Sequence, residues 1–468
     1  MSSDLASRIP ELSDPVAPAG VIRVGENRDV PLTSRVAEVI DHPSFQRLRR
    51  VRQLGPTHLV YPGAVHTRFE HSIGVYGNVR AFVRSLLRTP AFADSVSEAD
   101  ILVVLAAGLL HDIGHYPFAH SLEALHAKGR DTPRHEDLAA PILFGEVGQP
   151  HRVRPIADVL SWSWGIDPAR VVRLLTHKRA DLRPVDRVLQ SVISGAIDAD
   201  KMDYLERDST HLGVPYGKNY DRDRLLGSLT LAEDEERLAI WAKGKVSAEV
   251  FVFCRYTMFS EAYWHHTVRA ASAMVEAALA DHVARVQPDR QALTTDLLAF
   301  GDDALLDSLR GAAPLGSTAA HLLAGLTGDR RRLHKRIATF SRIYAEEDKR
   351  RAYDVLYGMD AAAADSMVAR VRARLERLVG HPIHPSAVLI DIPPRDKDRL
   401  ETIPVRFPSV RGRAQYALHE LSGIVAGVQT DFVQVVKKIR VYCAGPVAAE
   451  LTDRPRAEAA ILEEVLAP

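Results

Sequence analysis

The hydrophobic positions along this chain recur mostly at helical spacing. Residues Ile101–Leu109 form an apolar run that predicts a fully buried helix. Apolar residues three and four apart predict further helices from Ser34, from His66 and over Val250–Val286. We therefore expect a mainly α-helical chain.

Predicted strands are short and lie mostly near the C-terminus. One is expected around Val21–Val24, and three more that could pair as a small sheet are expected at 387–392, 403–406 and 439–443. The first 20 residues carry several Pro and Ser residues, which is typical of a flexible arm. The expected organisation is an arm over 1–20, a helical core over 21–275, a helical extension over 276–380 and an α+β lobe over 381–468.

Polar residues follow the apolar run abruptly, beginning with His111 and Asp112. Neutral imidazole and carboxylate groups are common ligands of divalent metals. His115 lies four residues after His111, so the two share a face if the helix continues. A helix end capped by polar residues is the structural alternative, so this stretch indicates either a metal site or a cap.

Two stretches near this one carry similar groups. Arg68 and His71 are three residues apart on a predicted helix, where an arginine and a metal ligand could hold one phosphate. His120 and Glu123 have the same spacing, and five histidines occur between residues 111 and 135. A surface helix is the alternative for the first stretch, but five histidines are too many for ordinary core packing.

Two later stretches also carry ligand-capable side chains. Asp200, Tyr204 and Asp208 form one helical stripe at intervals of four, which predicts either a ligand-binding face or a charged exterior helix. Arg255 and Tyr263 lie on another predicted helix, for which an aromatic core stripe is the alternative. Neither stretch identifies a ligand by itself.

Composition limits the class of protein without naming a ligand. The 468 residues include 60 Lys+Arg and 60 Asp+Glu, so a site for phosphate or nucleic acid must be local. The two cysteines, Cys254 and Cys443, argue against a disulfide framework. We see no signal peptide and no run long enough to cross a membrane, so we expect a soluble, cytoplasmic protein. The basic run Arg330–Arg336 predicts a helix start that is solvated or contacts phosphate or nucleic acid.

Four motifs, read in order, resemble the HD-domain phosphohydrolase superfamily, and more narrowly its dNTP triphosphohydrolases of vertebrates and bacteria. They are HTRFEHS from His66, HDIGHYPFAH from His111, IDADKMDY from Ile197 and RDSTHLG from Arg207. The likeness covers residues 36–268. It implies a helical HD-domain core with a small α+β C-terminal lobe and a homo-oligomer, either a dimer or a tetramer.

The resemblance also implies a role for individual residues. One or two divalent ions, of Mn, Fe, Mg, Zn or Ni, would be bound by His71, His111, Asp112 and Asp200. The catalytic histidines would be His115, His120 and His135, with Glu123 as the acid that accompanies His120. The substrate, a dNTP, would contact Gln53, Leu54, Arg68, Lys201, Tyr204, Asp208, Arg255 and Tyr263.

The implied reaction is hydrolysis of a dNTP to a deoxynucleoside and tripolyphosphate. A GTP or dNTP activator would bind at Asp41, Gln46 and Arg49, although the preceding segment departs from the family pattern. Two alternative functions stay open at this point. One is an HD phosphatase of another nucleotide, such as a nucleoside monophosphate or an alarmone, and the other is a nucleotide- or nucleic-acid-binding regulator with a vestigial site.

Overall fold

The computed structural model describes residues 2–13, 20–25, 28–127, 129, 131–148, 153–393, 402–408 and 413–467. The predicted fold class, mainly α-helical with a small α+β C-terminal lobe, is confirmed. The helices of the first half are α1 Ser2–Arg8, α2 Ser34–Ile40, α3 Pro43–Gln46, α4 Arg68–Leu86, α5 Pro90–Ser95, α6 Glu98–Leu110, α7 Ala119–Ala127, α8 His135–Leu143, α9 Ile156–Trp162, α10 Pro168–Thr176, α11 Pro184–Ile193, α12 Ala199–Leu212 and α13 Arg222–Leu226.

The second half contains more helices and most of the strands. Its helices are α14 Lys245–Thr257, α15 His266–Val286, α16 Arg290–Ala299, α17 Asp302–Ala312, α18 Thr318–Thr327, α19 Glu347–Gly358, α20 Ala361–Val379, α21 Leu418–Leu421, α22 Gly423–Asp431, α23 Gly445–Glu450 and α24 Arg454–Leu466. The strands of the whole chain are β1 Val21–Val24, β2 Arg28–Pro31, β3 Leu229–Leu231, β4 Leu238–Trp241, β5 Lys335–Phe340, β6 Val388–Asp391, β7 Pro404–Arg406, β8 Gln415–Ala417 and β9 Ile439–Cys443.

Helix α4 lies at the centre of the first half and packs against both α6 and α12. Its contact with α12 is close because α4 has glycine at position 74. A Cβ on Gly74 would lie 2.0 Å from Asp203 Oδ1 of α12. This close approach brings the first turn of α4 beside the first two turns of α12.

Helix α6 begins at a capping box, in which Ser97 and Asp100 satisfy each other's backbone N–H groups. Every residue from Asp100 to Leu110 is buried, as the apolar run predicts. The helix ends at Leu110, so His111 and Asp112 follow in a turn. The expectation that His111 and His115 share a helix face is therefore wrong, because the helix stops before either residue.

The C-terminal lobe has its own apolar core and a three-stranded sheet. The sheet order is β5-β9-β6, with β9 antiparallel to both neighbours. The core begins at Ile337 and includes the buried Phe340 and Tyr353. The sheet and this core therefore begin within the predicted helical extension over 276–380, whose boundaries stay a prediction.

The strand at 404–406 does not join this sheet, contrary to expectation. It is β7, which pairs with β4 and β8 in a four-stranded sheet of order β3-β4-β7-β8. The strand predicted around Val21–Val24 forms β1 and pairs with β2.

Part of the segment predicted as a flexible arm is docked on the core. Ile9 is fully buried and Leu12 is nearly so. The buried carboxylate of Glu11 accepts hydrogen bonds from Thr33 Oγ1 at 2.6 Å and from Arg35 Nε at 2.7 Å. Residues 1 and 14–19 lie outside the described residues, so the prediction is wrong only for the described part.

Among the helices that the structure describes, none combines the length and the apolar character that crossing a bilayer requires.

Candidate metal centre and active site

The four predicted metal ligands converge from three separate parts of the chain. Nε2 of His71 lies 3.2 Å from Nε2 of His111 and 3.0 Å from Oδ1 of Asp200. Asp112 completes the group, with Oδ2 3.9 Å from Nε2 of His71 and Oδ1 3.5 Å from Nε2 of His111. His71, His111 and Asp200 offer ligand atoms that lie close enough together to hold one divalent ion, and Asp112 lies beside them.

The second nitrogen of each imidazole is already engaged. His71 Nδ1 lies 2.8 Å from Oδ2 of the buried Asp203, and His111 Nδ1 lies 2.9 Å from the carbonyl oxygen of Gly108. These partners accept a hydrogen bond from Nδ1–H, which leaves the Nε2 lone pairs facing the centre. Such outer partners are typical of histidines that bind a metal, so the donor set fits the ion that the resemblance implies.

The electrostatics of the centre also favour a cation. Burial opposes a charge on His71, but hydrogen bonds to Asp200 and Asp203 raise the pKa of its imidazole to about 10. Burial likewise opposes ionisation of Asp112, but His115 and Arg68 hold the pKa of that carboxyl well below its usual range. The carboxylates thus attract positive charge to the point where the Nε2 atoms meet.

The three predicted catalytic histidines lie together beside this centre. The rings of His115 and His135 stack with centroids 3.8 Å apart, and the ring of His120 lies edge-on to both, at 5.6 and 5.9 Å. Glu123 links two of them, since its carboxylate contacts Nδ1 of His120 at 3.2 Å and hydrogen-bonds Nδ1 of His135. His115 is buried, whereas the side chain of His120 is 60% exposed.

A glycine permits this arrangement. A Cβ on Gly114 would lie 2.0 Å from the carbonyl oxygen of His135, so the turn after α6 packs directly on the start of α8. Both guanidinium nitrogens Nη1 and Nη2 of the buried Arg47 donate to carbonyls of the same turn, at His115 and Ile113. Arg47 therefore holds the turn, a role that no sequence pattern indicates because its partners are backbone atoms.

The predicted sugar-binding residues surround Asp208. Tyr263 Oη donates to Asp208 Oδ2 at 2.6 Å, and His66 Nε2 lies 2.7 Å from Asp208 Oδ1. The rings of Tyr204 and Tyr263 are 6.3 Å apart. The side chain of His66 is fully buried and stacks on His211. No role was predicted for His66 from the sequence, and its place at the start of the HTRFEHS motif was the available signal.

Two other predicted sugar-pocket residues, Gln53 and Leu54, precede a short 3₁₀ helix at Gly55–Leu59. The backbone N–H of Gln53 donates to the carbonyl oxygen of His66 at 3.0 Å, and its side-chain Oε1 is buried without a hydrogen-bond partner. Leu54 is half-buried. An unpaired buried amide oxygen suits a ligand that brings its own donor.

The predicted phosphate-binding residues are basic side chains held by acidic or aromatic neighbours. Arg68 Nη1 donates to Asp112 Oδ2 at 2.7 Å, and Lys201 Nζ donates to the buried Asp198 Oδ2 at 2.6 Å. Arg255 lies over the ring of Phe259, 5.7 Å from its centroid, and its buried Nε has no hydrogen-bond partner.

The predicted activator residues lie on the first helices after β2. Gln46 donates to the carbonyl oxygen of Ile40 at 2.8 Å and accepts from Arg49 Nε at 2.7 Å. The Arg49 guanidinium lies 3.6 Å from the ring centroid of Phe69, and Asp41 is exposed. Gln46 and Arg49 thus form one hydrogen-bonded pair next to Asp41.

A separate basic region lies at the contact between the two cores. Its cavity measures about 480 Å³, and its lining includes His266, Lys335, Arg336 and Arg454. Burial and the neighbouring charges of His265 and Arg336 lower the pKa of His266 to about 4. The residues that line this cavity carry positive charge and include no acidic side chain, so the cavity suits an anion.

Comparison with known proteins agrees with this geometry. The HD domain model matches residues 68–208, and the HD associated region model matches residues 220–461, which is more than half of the chain. An uncharacterized protein of Methanocaldococcus jannaschii is 33% identical over 327 residues, which cover 69% of this chain and 60% of that protein. The deoxynucleoside triphosphate triphosphohydrolase SAMHD1 of Homo sapiens is 30% identical over 275 residues, or 53% of this chain and 42% of that protein.

The chain thus spans about two-fifths to three-fifths of the length of these two relatives. A crystal structure of a hypothetical protein from Aquifex aeolicus has a TM-score of 0.66 and 23% identity, and it covers 94% of this chain and 99% of its own. That likeness extends the shared fold to nearly the whole chain. This chain belongs to the HD-domain family, with the HD domain at residues 68–208 followed by an HD associated region at 220–461.

Proposed function

We propose that this chain is a dNTP triphosphohydrolase, which converts a dNTP and water into a deoxynucleoside and tripolyphosphate. Membership of the HD family and the convergent His and Asp ligands support the broader class of metal-dependent phosphohydrolases. The observation that carries the narrower proposal is the group around Asp208, because His66 and Tyr263 both contact its carboxylate and form a polar cluster that suits a sugar. A relative named as a deoxynucleoside triphosphate triphosphohydrolase supports the same substrate class.

A divalent ion would be held by His71, His111, Asp112 and Asp200. When bound, such an ion makes water a stronger acid and offsets the negative charge of phosphate oxygens. Arg68 is placed to assist, since it already contacts the carboxylate of Asp112 at 2.7 Å. Its planar guanidinium would hold two oxygens of the α-phosphate beside the site of attack.

The three histidines would transfer a proton to the leaving group. His120 has Nδ1 against Glu123, so its Nε2 is the atom that would donate a proton to the departing 5′-oxygen. Burial raises the pKa of Glu123, but hydrogen bonds with His120 and His135 lower it far more. Glu123 therefore stays ionised at neutral pH, and its carboxylate lies against Nδ1 of His120.

The remaining cations would offset the charge of the triphosphate. Burial lowers the pKa of Lys201, but the Asp198 carboxylate outweighs this effect, and the net shift is upward. Lys201 thus keeps its charge, and the unpaired Nε of Arg255 could donate a hydrogen bond to a phosphate oxygen. A chain of three phosphates carries enough negative charge to use both groups.

The sugar would be selected by crowding and by hydrogen bonds. Asp208 would accept the 3′-hydroxyl, while Tyr204, Gln53 and Leu54 would line the pocket. Tyr263 would leave no room beside C2′, so a ribonucleotide would be excluded. The hydrogen bond from Tyr263 Oη to Asp208 Oδ2 restrains the phenol ring, which supports this proposal.

We also propose that GTP or a dNTP activates the enzyme, and that the active form is a homo-oligomer. Asp41 would accept from the N1 and N2 donors of guanine, and Arg49 would donate to O6 and N7. The basic cavity that includes Lys335 and Arg336 in its lining offers a second place for effector phosphates. Activity with and without GTP, together with sedimentation of both samples, tests this; Arg49→Ala should lose a GTP response that the unaltered protein shows.

Product analysis tests the proposed reaction. The purified protein is incubated with each dNTP and Mn²⁺, and we expect a deoxynucleoside and tripolyphosphate. Release of orthophosphate would favour a phosphatase of another nucleotide, and binding without turnover would favour a regulator. Asp200→Ala should lose metal and turnover together, whereas turnover by a metal-free Asp200→Ala protein would contradict the ligand assignment.

A further inference from the structure

The guanidinium of Arg255 is held differently from the other cations proposed to meet the triphosphate. Arg68 pairs with the carboxylate of Asp112, and Lys201 pairs with that of Asp198. Within the part of the chain that the structure describes, Arg255 makes no ion pair, and its buried Nε has no hydrogen-bond partner. Its contacts are instead with aromatic rings.

Two phenyl rings flank this guanidinium. Its central carbon lies 5.7 Å from the ring centroid of Phe259 and 5.9 Å from that of Phe432. The two ring centroids are 5.3 Å apart, with the ring planes tilted by 59°. Both distances from the guanidinium lie within the roughly 6 Å over which a ring attracts a cation. A ring, unlike a carboxylate, attracts the cation without occupying its N–H groups, so these groups remain available to a phosphate.

The two rings belong to two π-helical turns that lie far apart along the chain. Phe259 lies in the turn at Met258–Tyr263, directly after α14, and Phe432 opens the turn at Phe432–Val436, directly after α22. Helices α14 and α22 pack against each other, and so do the two turns. Turns of this rare type occur frequently at functional sites. Phe259 is therefore a local neighbour of Arg255, whereas Phe432 reaches it only through tertiary packing.

Phe432 also supports the aromatic residues that lead to the proposed sugar pocket. It is 3% exposed and forms one packed cluster with Phe259 and Tyr263. Phe259 lies edge-on to Tyr263, with ring centroids 5.0 Å apart, and Tyr263 Oη donates to Asp208. One ring that follows α22 thus restrains Arg255 directly and Tyr263 through Phe259.

A small cavity borders Arg255 where α14 meets α22. Its volume is about 10 Å³, and its lining includes Phe251, Leu418 and Val425 beside Arg255. That volume has room for about one water molecule. The attraction between a ring and a cation is stronger where water is scarce, so the enclosure of Arg255 strengthens its contacts with the two phenyl rings.

We infer that Phe432 is a positioning residue, which holds the guanidinium of Arg255 where it binds the triphosphate. This inference rests on the proposed function, in which Arg255 offsets the charge of the phosphates. Phe432 acts through Arg255 and takes no part in the chemical step. Because Arg255 would bind the phosphates equally before and during the attack, loss of Phe432 should raise KM and leave kcat nearly unchanged.

Steady-state kinetics with a dNTP tests this role. Phe432→Leu and Phe432→Met remove the ring but keep an apolar side chain, so each should raise KM by about 2–30-fold, the range of a cation–ring contact. Phe432→Tyr keeps the ring and should keep KM close to that of the unaltered protein. Phe407→Leu is the matched control, since the half-buried Phe407 follows β7 and packs edge-on to Tyr416, and it should leave KM unchanged.

A double variant separates action through Arg255 from a general effect on the pocket. Arg255→Met removes the cation, so adding Phe432→Leu to it should not raise KM further. A further rise equal to that seen with Arg255 in place would overturn the positioning role. So would a fall in kcat with KM unchanged, or equal KM values for Phe432→Leu and Phe432→Tyr. Phe432→Met carries the same expectations as Phe432→Leu, so either folded variant decides.

Chemical modification tests the contact without using activity. Phenylglyoxal reacts with guanidinium groups, and mass spectrometry follows the peptide that contains Arg255. If the rings must release Arg255 before the reagent reaches it, Phe432→Leu should speed its modification by about 2–30-fold, whereas Phe407→Leu should not. An unchanged rate in Phe432→Leu would overturn the contact. If no dNTP is hydrolysed, the proposed function fails, while the modification rate still decides whether Phe432 holds Arg255.

Discussion

Asp203 is the side chain that orients His71 towards the metal centre. It is almost fully buried, with Oδ2 2.8 Å from His71 Nδ1 and both oxygens paired with Arg207. Because an amide is a poorer acceptor than a carboxylate, Asp203→Asn should weaken metal binding by about 10–100-fold. Competition with a chromogenic chelator measures this on folded protein. The exposed Asp223→Asn serves as the control and should leave the affinity unchanged; equal affinities for the two variants would contradict the assigned role.

We expect His66 to act on the proposed substrate pocket through Asp208. Its imidazole lies 2.7 Å from Asp208 Oδ1, so its removal leaves one carboxylate oxygen without a partner. A lost hydrogen bond to a charged group is worth about 1.5–3 kcal/mol, so His66→Ala should raise KM for a dNTP by roughly 10–150-fold, with a smaller fall in kcat. Steady-state kinetics separates the two constants.

A conservative variant distinguishes positioning by His66 from a general loss of structure. His66→Gln keeps a donor near Asp208 and should recover part of the KM, while His66→Ala should not. A fall in kcat alone, with KM unchanged in both variants, would contradict the positioning role.

At the scale of residues, the order of the motifs was sufficient to select groups that meet in space. His71, His111, Asp112 and Asp200 come together because α4, the turn after α6 and α12 are packed side by side. Asp203 could not be recognised in this way, since it lies three residues from Asp200 and only the α4–α12 contact shows which carboxylate faces which nitrogen. Arg47 could not be recognised either, because its buried guanidinium donates to backbone carbonyls, which no side-chain pattern reveals.

At the scale of elements, the N-terminal segment is held to the core by a buried carboxylate. Burial raises the pKa of Glu11, but hydrogen bonds from Arg35 and Thr33 outweigh it and bring the value below 4.5. Since the folded pKa is below the unfolded one, this stabilisation is complete above pH 4.5 and is lost as the pH falls through the folded pKa.

Glu11→Gln should therefore lower the free energy of unfolding by about 1–3 kcal/mol at neutral pH. The difference from the unaltered protein should shrink as the pH falls below 4.5. Urea unfolding at several pH values measures this difference in the free energy of unfolding. Asp29→Asn, which breaks the exposed pair with Arg23, is the control and should change stability little at any pH. A Glu11→Gln effect that is constant with pH would contradict the ionic contribution.

Two segments that were predicted to be helical differ from that prediction in the structure. The basic run Arg330–Arg336 was expected to start a helix, but its last two residues open strand β5. Lys335 and Arg336 are exposed, whereas Ile337–Phe340 are buried in the lobe core. The expected helix over Val250–Val286 is interrupted by a wide π-helical turn at Met258–Tyr263. Apolar spacing does not reveal either change, because short strands and wide turns keep the same residue types.

At the scale of the whole molecule, the metal ligands and the C-terminal sheet belong to different cores. Phe340 is fully buried in the second core, while all four predicted metal ligands lie in the first half of the chain. Phe340→Ala should thus destabilise the protein by about 3–5 kcal/mol, since a large ring is removed from a packed interior.

Metal stoichiometry of the folded Phe340→Ala protein should stay unchanged, which is measured beside its thermal unfolding. Val355→Ala, at a 40% exposed position of the same lobe, is the control and should have a small effect on both quantities. A loss of bound metal from folded Phe340→Ala would contradict the independence of the two cores.

The sequence was least informative about how distant strands pair. The strand at 404–406 has three residues, and its partner β4 lies more than 160 residues earlier, in a part of the chain where we expected no strand. Such a pairing depends on the packing of the helices between them. The helical class of the fold, by contrast, depends on apolar spacing that is visible locally.

The π-helical turn at Met258–Tyr263 ends at Tyr263, whose hydroxyl donates to Asp208. The next residue, Trp264, has a carbonyl oxygen that accepts from Nη2 of the buried Arg440 on β9, at 2.8 Å. A single peptide bond therefore separates Tyr263, which we propose lines the sugar pocket, from a residue that is hydrogen-bonded to the C-terminal lobe. Arg440→Met removes this hydrogen bond, so we expect the variant to discriminate less strongly against ribonucleotides. The selectivity for deoxyribonucleotides would then depend in part on a lobe that does not contact the substrate.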